Sequence, residues 1–82
     1  MTREFYLRYL HDAATTLSRY VEHTEPYAYL DSLGSMLEIW RKQIQAVEAE
    51  VAAVASSPDE GDYFKRFEVF VPEVLAMAGI QR

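Results

Sequence analysis

The apolar positions between residues 30 and 54 follow an unbroken spacing of alternating three and four residues. This spacing places one continuous row of apolar side chains along a single side of an α-helix, in the a and d positions of a heptad repeat. We refer to this row as the seam, and it consists of Leu30, Leu33, Leu37, Trp40, Ile44, Val47, Val51 and Val54. The seam predicts a central helix from about Tyr27 to Ala55, roughly 43 Å long.

Gly34 leaves a second interpretation of this region open. It can end a short helix, and the sequence Ser35–Glu38 matches a capping box that can begin a new one. The seam, however, keeps its phase across Gly34, and a glycine inside a helix costs only about 1 kcal/mol. We therefore expect one continuous helix.

An amphipathic stripe ahead of the seam predicts a first helix from about Arg3 to His23, with Thr2 as its N-cap. The stripe consists of Tyr6, Leu10, Ala13, Leu17 and Tyr20. Pro26 disfavours a helical conformation for the residue before it, so the first helix is expected to end near His23. A connection of about two to four residues makes the first and second helices antiparallel neighbours.

The turn after the seam carries strong signals for the start of a third helix. Ser57, Pro58 and Glu60 match a capping box with proline at the first helical position. The third helix is expected to begin at residue 58 or 62 and to be kinked or split at Pro72, because proline removes a backbone donor. A second piece is expected to continue to about residue 78, where Gly79 stops it.

Together these patterns predict an all-α fold. We expect an antiparallel three-helix bundle with a long central helix and a Pro-kinked third helix, in a single domain over residues 1–82. The central helix is longer than the diameter of roughly 30 Å of a compact domain of this length. Either the bundle is elongated or a second subunit covers the projecting part of the helix, and we expect a homodimer.

The composition changes this picture mainly through the classes of protein that it disfavours. Of the 82 residues, 50% are apolar and none is cysteine, so neither disulfides nor thiolate metal sites are available to reinforce the small core. The net charge of −5 disfavours nucleic-acid and anionic-membrane partners. No apolar run has the length of a transmembrane helix, and the start of the sequence lacks a signal-peptide pattern. We expect a cytoplasmic protein.

Residue types that carry chemistry are present, but not in the spacings that known sites need. His11 and His23 stand in neither a Glu-x-x-His nor a His-Glu-x-x-His pattern, and no nucleophile or phosphate-loop motif occurs. Glu38, Glu48 and Glu50 lie off the seam and are expected on a solvated face. We therefore predict no enzyme, no cofactor and no metal site. Two alternatives stay open: a small helical enzyme or phosphotransfer domain that uses His11, and an acidic inhibitor that mimics nucleic acid.

The aromatic side chains and the seam carry the functional prediction, although several of the rings must also fill the core. Tyrosine and tryptophan are favoured at the centre of protein interfaces. We predict a non-catalytic interaction module, such as an adaptor, a chaperone-like protein or a regulatory subunit. It is expected to bind a protein of unknown identity through an aromatic-rich helical surface formed by Phe5, Tyr9, Tyr27 and Tyr29.

The same module is expected to homodimerise through its central helix. The expected dimer interface consists of Leu33, Leu37, Trp40, Ile44, Val47 and Val51. Arg41 and Glu48 both occupy e positions of the heptad with opposite charge, which favours an antiparallel pairing of two central helices.

Overall fold

Three α-helices make up most of the protein in a computed structural model that describes residues 1–57 and 62–78. They are α1 (Arg3–Thr24), α2 (Asp31–Ala55) and α3 (Phe64–Met77), and a 3-10 turn at Glu25–Tyr27 follows α1. The predicted all-helical class is confirmed, and no strand occurs in the described ranges. Within those ranges, no helix combines the length and the apolar character needed to cross a bilayer.

The start of α1 follows the sequence prediction closely. The Thr2 side chain accepts a hydrogen bond from the Phe5 backbone N–H at 3.1 Å, which satisfies one of the unpaired donors at the helix start. Glu4 lies in the first turn and His23 in the last, where both suit the helix dipole.

The central helix α2 is continuous across Gly34, as the unbroken seam predicts, but it begins at Asp31 rather than at Tyr27. The predicted start is wrong because the preceding backbone forms tight turns instead. The Ala28 N–H bonds the Glu25 carbonyl at 3.1 Å, and the Leu30 N–H bonds the Tyr27 carbonyl at 3.0 Å. The connection therefore spans residues 25–30 and is longer than predicted.

The start of α3 is tied to the beginning of the chain. Asp62 accepts a hydrogen bond from the Phe64 N–H at 2.9 Å and pairs with the amino group of Met1 at 3.0 Å. The backbone N–H of Tyr63 donates to the Met1 carbonyl at 2.8 Å. These bonds place the first turn of α3 against the first turn of α1.

The third helix continues through Pro72 as one element, so the predicted split is wrong. Pro72 and Glu68 are both exposed, so water can satisfy the carbonyl group that the proline leaves without its usual donor. A kink at this position stays a prediction. Of the predicted cap, Pro58 and Glu60 lie outside the described residues, as does the predicted stop at residue 79; the Ser57 hydroxyl donates to the Ala53 carbonyl at the end of α2.

The core lies where the first half of α1 meets the second half of α2 and the start of α3. Its buried members are Tyr6, Leu10, Val47, Val54 and Tyr63, with Phe67 and Phe70 of α3 packed against them. The molecule is elongated, with extents of 46 × 26 × 15 Å. The 14 residues of α3 span about 21 Å, whereas the 25 residues of α2 span about 37 Å. The third helix therefore covers only part of the layer formed by α1 and α2.

Candidate interaction surface

An open groove lies where α3 ends and the layer of α1 and α2 continues. Its volume is about 550 Å³. Its apolar wall includes Leu17, Tyr20, Met36, Trp40, Leu75 and Ala78, and we call this site the groove. The groove is large enough to receive several side chains, and the shortness of α3 creates it.

Two aromatic rings form the far end of the groove. The ring of Tyr20 on α1 lies 5.5 Å from the ring of Trp40 on α2, with an angle of 43° between the planes. Tyr20 belongs to the amphipathic stripe of α1 and Trp40 belongs to the seam, so the packing of these two helices brings them together. Tyr20 is nevertheless half exposed.

The near end of the groove is fixed by a side chain of α2 that bonds the backbone of α3. The Gln43 amide donates to the Val74 carbonyl at 2.9 Å. This carbonyl is one of the last four in α3, which have no partner within the helix. Gln43 is almost completely buried, so the bond both satisfies a polar group of the core and holds the end of α3 in place.

A second polar cluster joins all three helices at the opposite end of the core. The Tyr6 hydroxyl donates to Oε2 of Glu50 at 2.6 Å. Arg66 donates to both carboxylate oxygens of Glu50, from Nε at 2.8 Å and from Nη2 at 2.9 Å. The rings of Tyr6 and Tyr63 stack with centroids 6.2 Å apart. We call Tyr6, Glu50 and Arg66 the polar triad.

The polar triad is electrostatically consistent with a structural role. Burial and the hydrogen bond to Glu50 raise the pKa of the Tyr6 hydroxyl far above its ordinary value. Burial alone would raise the pKa of Glu50, but hydrogen bonds from Arg66 and Tyr6 outweigh it and lower that pKa. The bonds to Glu50 raise the pKa of the Arg66 guanidinium. The donors already occupy both carboxylate oxygens, so the triad links helices rather than offering a ligand site.

This arrangement corrects the expectation that Glu50 lies on a solvated face. Glu38 and Glu48 are exposed as expected, whereas the Glu50 side chain is only 11% exposed. His11 and His23 are both exposed, and neither lines the groove. In the described ranges, no group of three or more histidine and carboxylate side chains is placed to hold a metal ion.

The structure divides the residues of the predicted dimer interface into two sets. Leu37 and Val47 are each only 2% exposed, so contacts within the chain already use their surface. The partly exposed set consists of Leu33, Trp40, Ile44 and Val51. Within this set, Trp40 lines the groove and the other three residues do not.

The predicted partner-binding residues are all exposed, but the structure does not bring them into one patch. Phe5 and Tyr9 lie in the first turns of α1, whereas Tyr27 and Tyr29 lie beyond its other end, roughly 30 Å away along the helix. Tyr9 contacts Phe67 of α3 at 5.2 Å between ring centroids and also lines the groove. Tyr29 is the most exposed of the four, at 77%.

Sequence reasoning missed the contribution of Tyr20, Met36 and Leu75 to an exposed surface. Tyr20 was expected in the core stripe, and its exposure depends on where α3 ends. The available signal was the difference in length between the third helix and the seam, because a short helix cannot cover a long one.

Comparison with known proteins provides no relative from which a function can be transferred. The chain matches no model of a known protein family, no curated protein and no solved structure.

Proposed function

We propose that this chain is a non-catalytic helical interaction module, which homodimerises through its central helix and binds a protein partner through aromatic-rich helical surface. The observation that supports this proposal most strongly is the amount of exposed surface. The chain exposes 5883 Å², whereas a compact monomer of 9.5 kDa exposes about 5000 Å². The excess is on the order of 800 Å², in keeping with the elongated shape of 46 × 26 × 15 Å, and is comparable in size to one protomer's share of a standard protein interface.

Large apolar side chains contribute to this exposed surface. Phe5, Tyr27, Tyr29, Phe64 and Val69 are each about half exposed or more. Scattered exposure of single apolar residues is ordinary, but aromatic rings are the residue type that interface centres favour. The partner-binding role proposed for Phe5, Tyr9, Tyr27 and Tyr29 is therefore compatible with their positions, as two separate contact points rather than one.

The dimer proposal rests on the seam residues that the single chain leaves partly exposed. The contacts of Arg3 with the Ser57 carbonyl and of Tyr20 with Trp40 favour an antiparallel packing of α1 on α2 within each protomer. Arg41 makes only a loose pair with Glu25, at 3.8 Å between exposed side chains. Such a pair contributes little to stability, so Arg41 remains available for a partner's carboxylate across a two-fold axis.

A quantitative binding experiment with the full chain tests the adaptor role. Immobilised wild-type protein is expected to retain a protein partner in stoichiometric amount, and a Phe5→Ser, Tyr29→Ser double variant is expected to lose it. His11→Ala serves as the control, because this exposed histidine has no part in the proposed surface. Equal retention by the double variant and the wild type would contradict the assignment of the aromatic residues. A partner lost only in His11→Ala would favour the phosphotransfer alternative instead.

A further inference from the structure

The third helix is the richest of the three in apolar residues, yet it is the least buried. None of the residues of α3 is buried, and Val69 is 62% exposed. The helices α1 and α2 each bury several side chains almost completely. Segments that bury little apolar surface open at the lowest cost in free energy. We therefore expect α3 to be the first helix to leave the folded structure.

Polar contacts attach α3 to the other helices at its two ends. Near its start, Arg66 donates to both carboxylate oxygens of Glu50, and the residues just ahead of α3 bond the beginning of the chain. Near its other end, the Gln43 amide donates to the Val74 carbonyl. The Arg66 side chain is 42% exposed, so water can solvate its charge once the pair with Glu50 opens.

The pair formed by α1 and α2 keeps contacts of its own at the end where α3 contributes least. Val21 of α1 and Leu37 of α2 are buried, and neither belongs to the core cluster that includes residues of α3. The rings of Tyr20 and Trp40 also join these two helices. The departure of α3 therefore leaves part of the packing between α1 and α2 in place.

The part of the seam beneath α3 is the part that the closed chain withholds from a second copy. Ile44 and Val51 occupy a positions of the heptad, and Val47 and Val54 occupy the neighbouring d positions. The two a residues are partly exposed, whereas Val47 is 2% exposed and Val54 is fully buried. Val47 faces α3 across a cleft that Phe70 also lines. Pairing of two seams needs a and d residues together, so the closed chain offers only half of the contact.

We propose that α3 is an autoinhibitory cover, which opens from α1 and α2 as one unit and exposes the second half of the seam to a second copy only in that open state. This inference rests on the proposed central-helix dimer and specifies how that dimer is regulated. The competing occupants of the surface are α3 of the same chain and the central helix of another copy. Each contact that holds α3 closed therefore opposes dimerisation.

Native-state hydrogen exchange of the wild-type chain tests the separate opening of α3 and depends on no variant. The slowest amides of α3 are expected to exchange on the order of tenfold or more faster than the slowest amides of α1 and α2. Their exchange is also expected to depend less on urea, because the opening of one helix exposes less surface than global unfolding. A single exchange rate and a single urea dependence for all three helices would contradict the opening.

Sedimentation equilibrium of an Arg66→Gln variant tests the competition with dimerisation. Loss of the two bonds to Glu50 is expected to raise the open population on the order of tenfold. Both protomers must open, so the apparent dimer dissociation constant falls with the square of that population, on the order of a hundredfold. Lys65→Gln is the matched control, because it removes the same charge from an exposed position of α3 that bonds no other described residue. Circular dichroism confirms that both variants keep their helix content.

The outcomes separate this inference from the dimer proposal on which it rests. An Arg66→Gln dimer no tighter than the wild-type dimer would overturn the autoinhibitory role of α3 and retain the central-helix dimer. Equal tightening by Lys65→Gln would also overturn it, because the change in net charge would then explain the effect. Wild-type and Arg66→Gln chains that both sediment as 9.5 kDa monomers at every concentration would contradict the inference and the dimer together.

Discussion

Replacing Tyr6 by phenylalanine removes one hydroxyl group from the core and leaves the ring in place. The Tyr6 side chain is completely buried, and its hydroxyl donates to Glu50 at 2.6 Å. A hydrogen bond to a charged group contributes about 1.5–3 kcal/mol to stability. In the variant, Oε2 of Glu50 keeps the donor Nε of Arg66. We therefore expect the lower end of this range, about 1.5 kcal/mol, which corresponds to a fall in Tm of roughly 6–12 °C.

Two further variants make the comparison specific. Tyr9→Phe is the matched control, because Tyr9 is partly exposed and its hydroxyl bonds no other described residue, so the change is expected to stay within about 0.5 kcal/mol. Glu50→Leu leaves both the Tyr6 hydroxyl and the Arg66 guanidinium without their acceptor. We expect it to reduce the free energy of unfolding by about 3 kcal/mol.

Urea unfolding followed by far-ultraviolet circular dichroism measures all three variants under the same conditions. The expected order of destabilisation is Tyr9→Phe, then Tyr6→Phe, then Glu50→Leu. A Tyr6→Phe variant as stable as wild type, or a Tyr9→Phe variant destabilised to the same extent, would refute the assignment of a stabilising role to this hydroxyl.

Other consequences of the structure can be checked with the same assay. Gln43→Leu is expected to lower the free energy of unfolding by about 1 kcal/mol, because it leaves the part-buried Val74 carbonyl without its donor, whereas the exposed control Gln45→Leu is expected to change little. Gly34→Ala is expected to raise the free energy of unfolding by less than the roughly 1 kcal/mol typical of this change in an open helix. The gain is smaller because the added Cβ would lie only 3.1 Å from the Ala28 carbonyl oxygen. The folded-state pKa of Glu50 is lowered. Its contribution to the free energy of unfolding is therefore fully present at pH values above the ordinary glutamate pKa of about 4.3, and it is lost as the pH falls through the folded-state pKa. Unfolding free energies measured across this acidic range are therefore expected to fall less steeply for Glu50→Gln than for wild type.

The sequence was informative wherever a local rule or an unbroken period decides the outcome. The Thr2 cap follows from the preference of a short polar side chain for the helix start, and α2 continues past Gly34 because the seam keeps its phase there. The start of α2 was misplaced because the hydrogen bonds of residues 25–30 depend on a local competition between 3-10 and α geometry. Hydrophobic periodicity does not resolve that competition.

Sequence spacing could not predict the contacts between residues that are far apart in the chain. Glu50 is not a seam residue, so the spacing predicts a solvated side chain. In the structure, Tyr6 and Arg66 bond it from two other helices. Likewise, nothing local to Gln43 indicates that it bonds the end of α3. Residues of all three helices line the groove, so its location depends on how the helices are placed relative to one another.

Fluorescence of Trp40, the single tryptophan of the chain, tests the proposed pairing most directly. If a second copy packs against the central helix and covers Trp40, emission of the wild-type protein will shift to shorter wavelength and acrylamide quenching will weaken as the concentration rises from nanomolar to micromolar. The Ile44→Glu variant, which places a charge in the proposed dimer interface, will show neither change over the same range. Emission and quenching of the wild type that stay constant at every concentration would contradict the account.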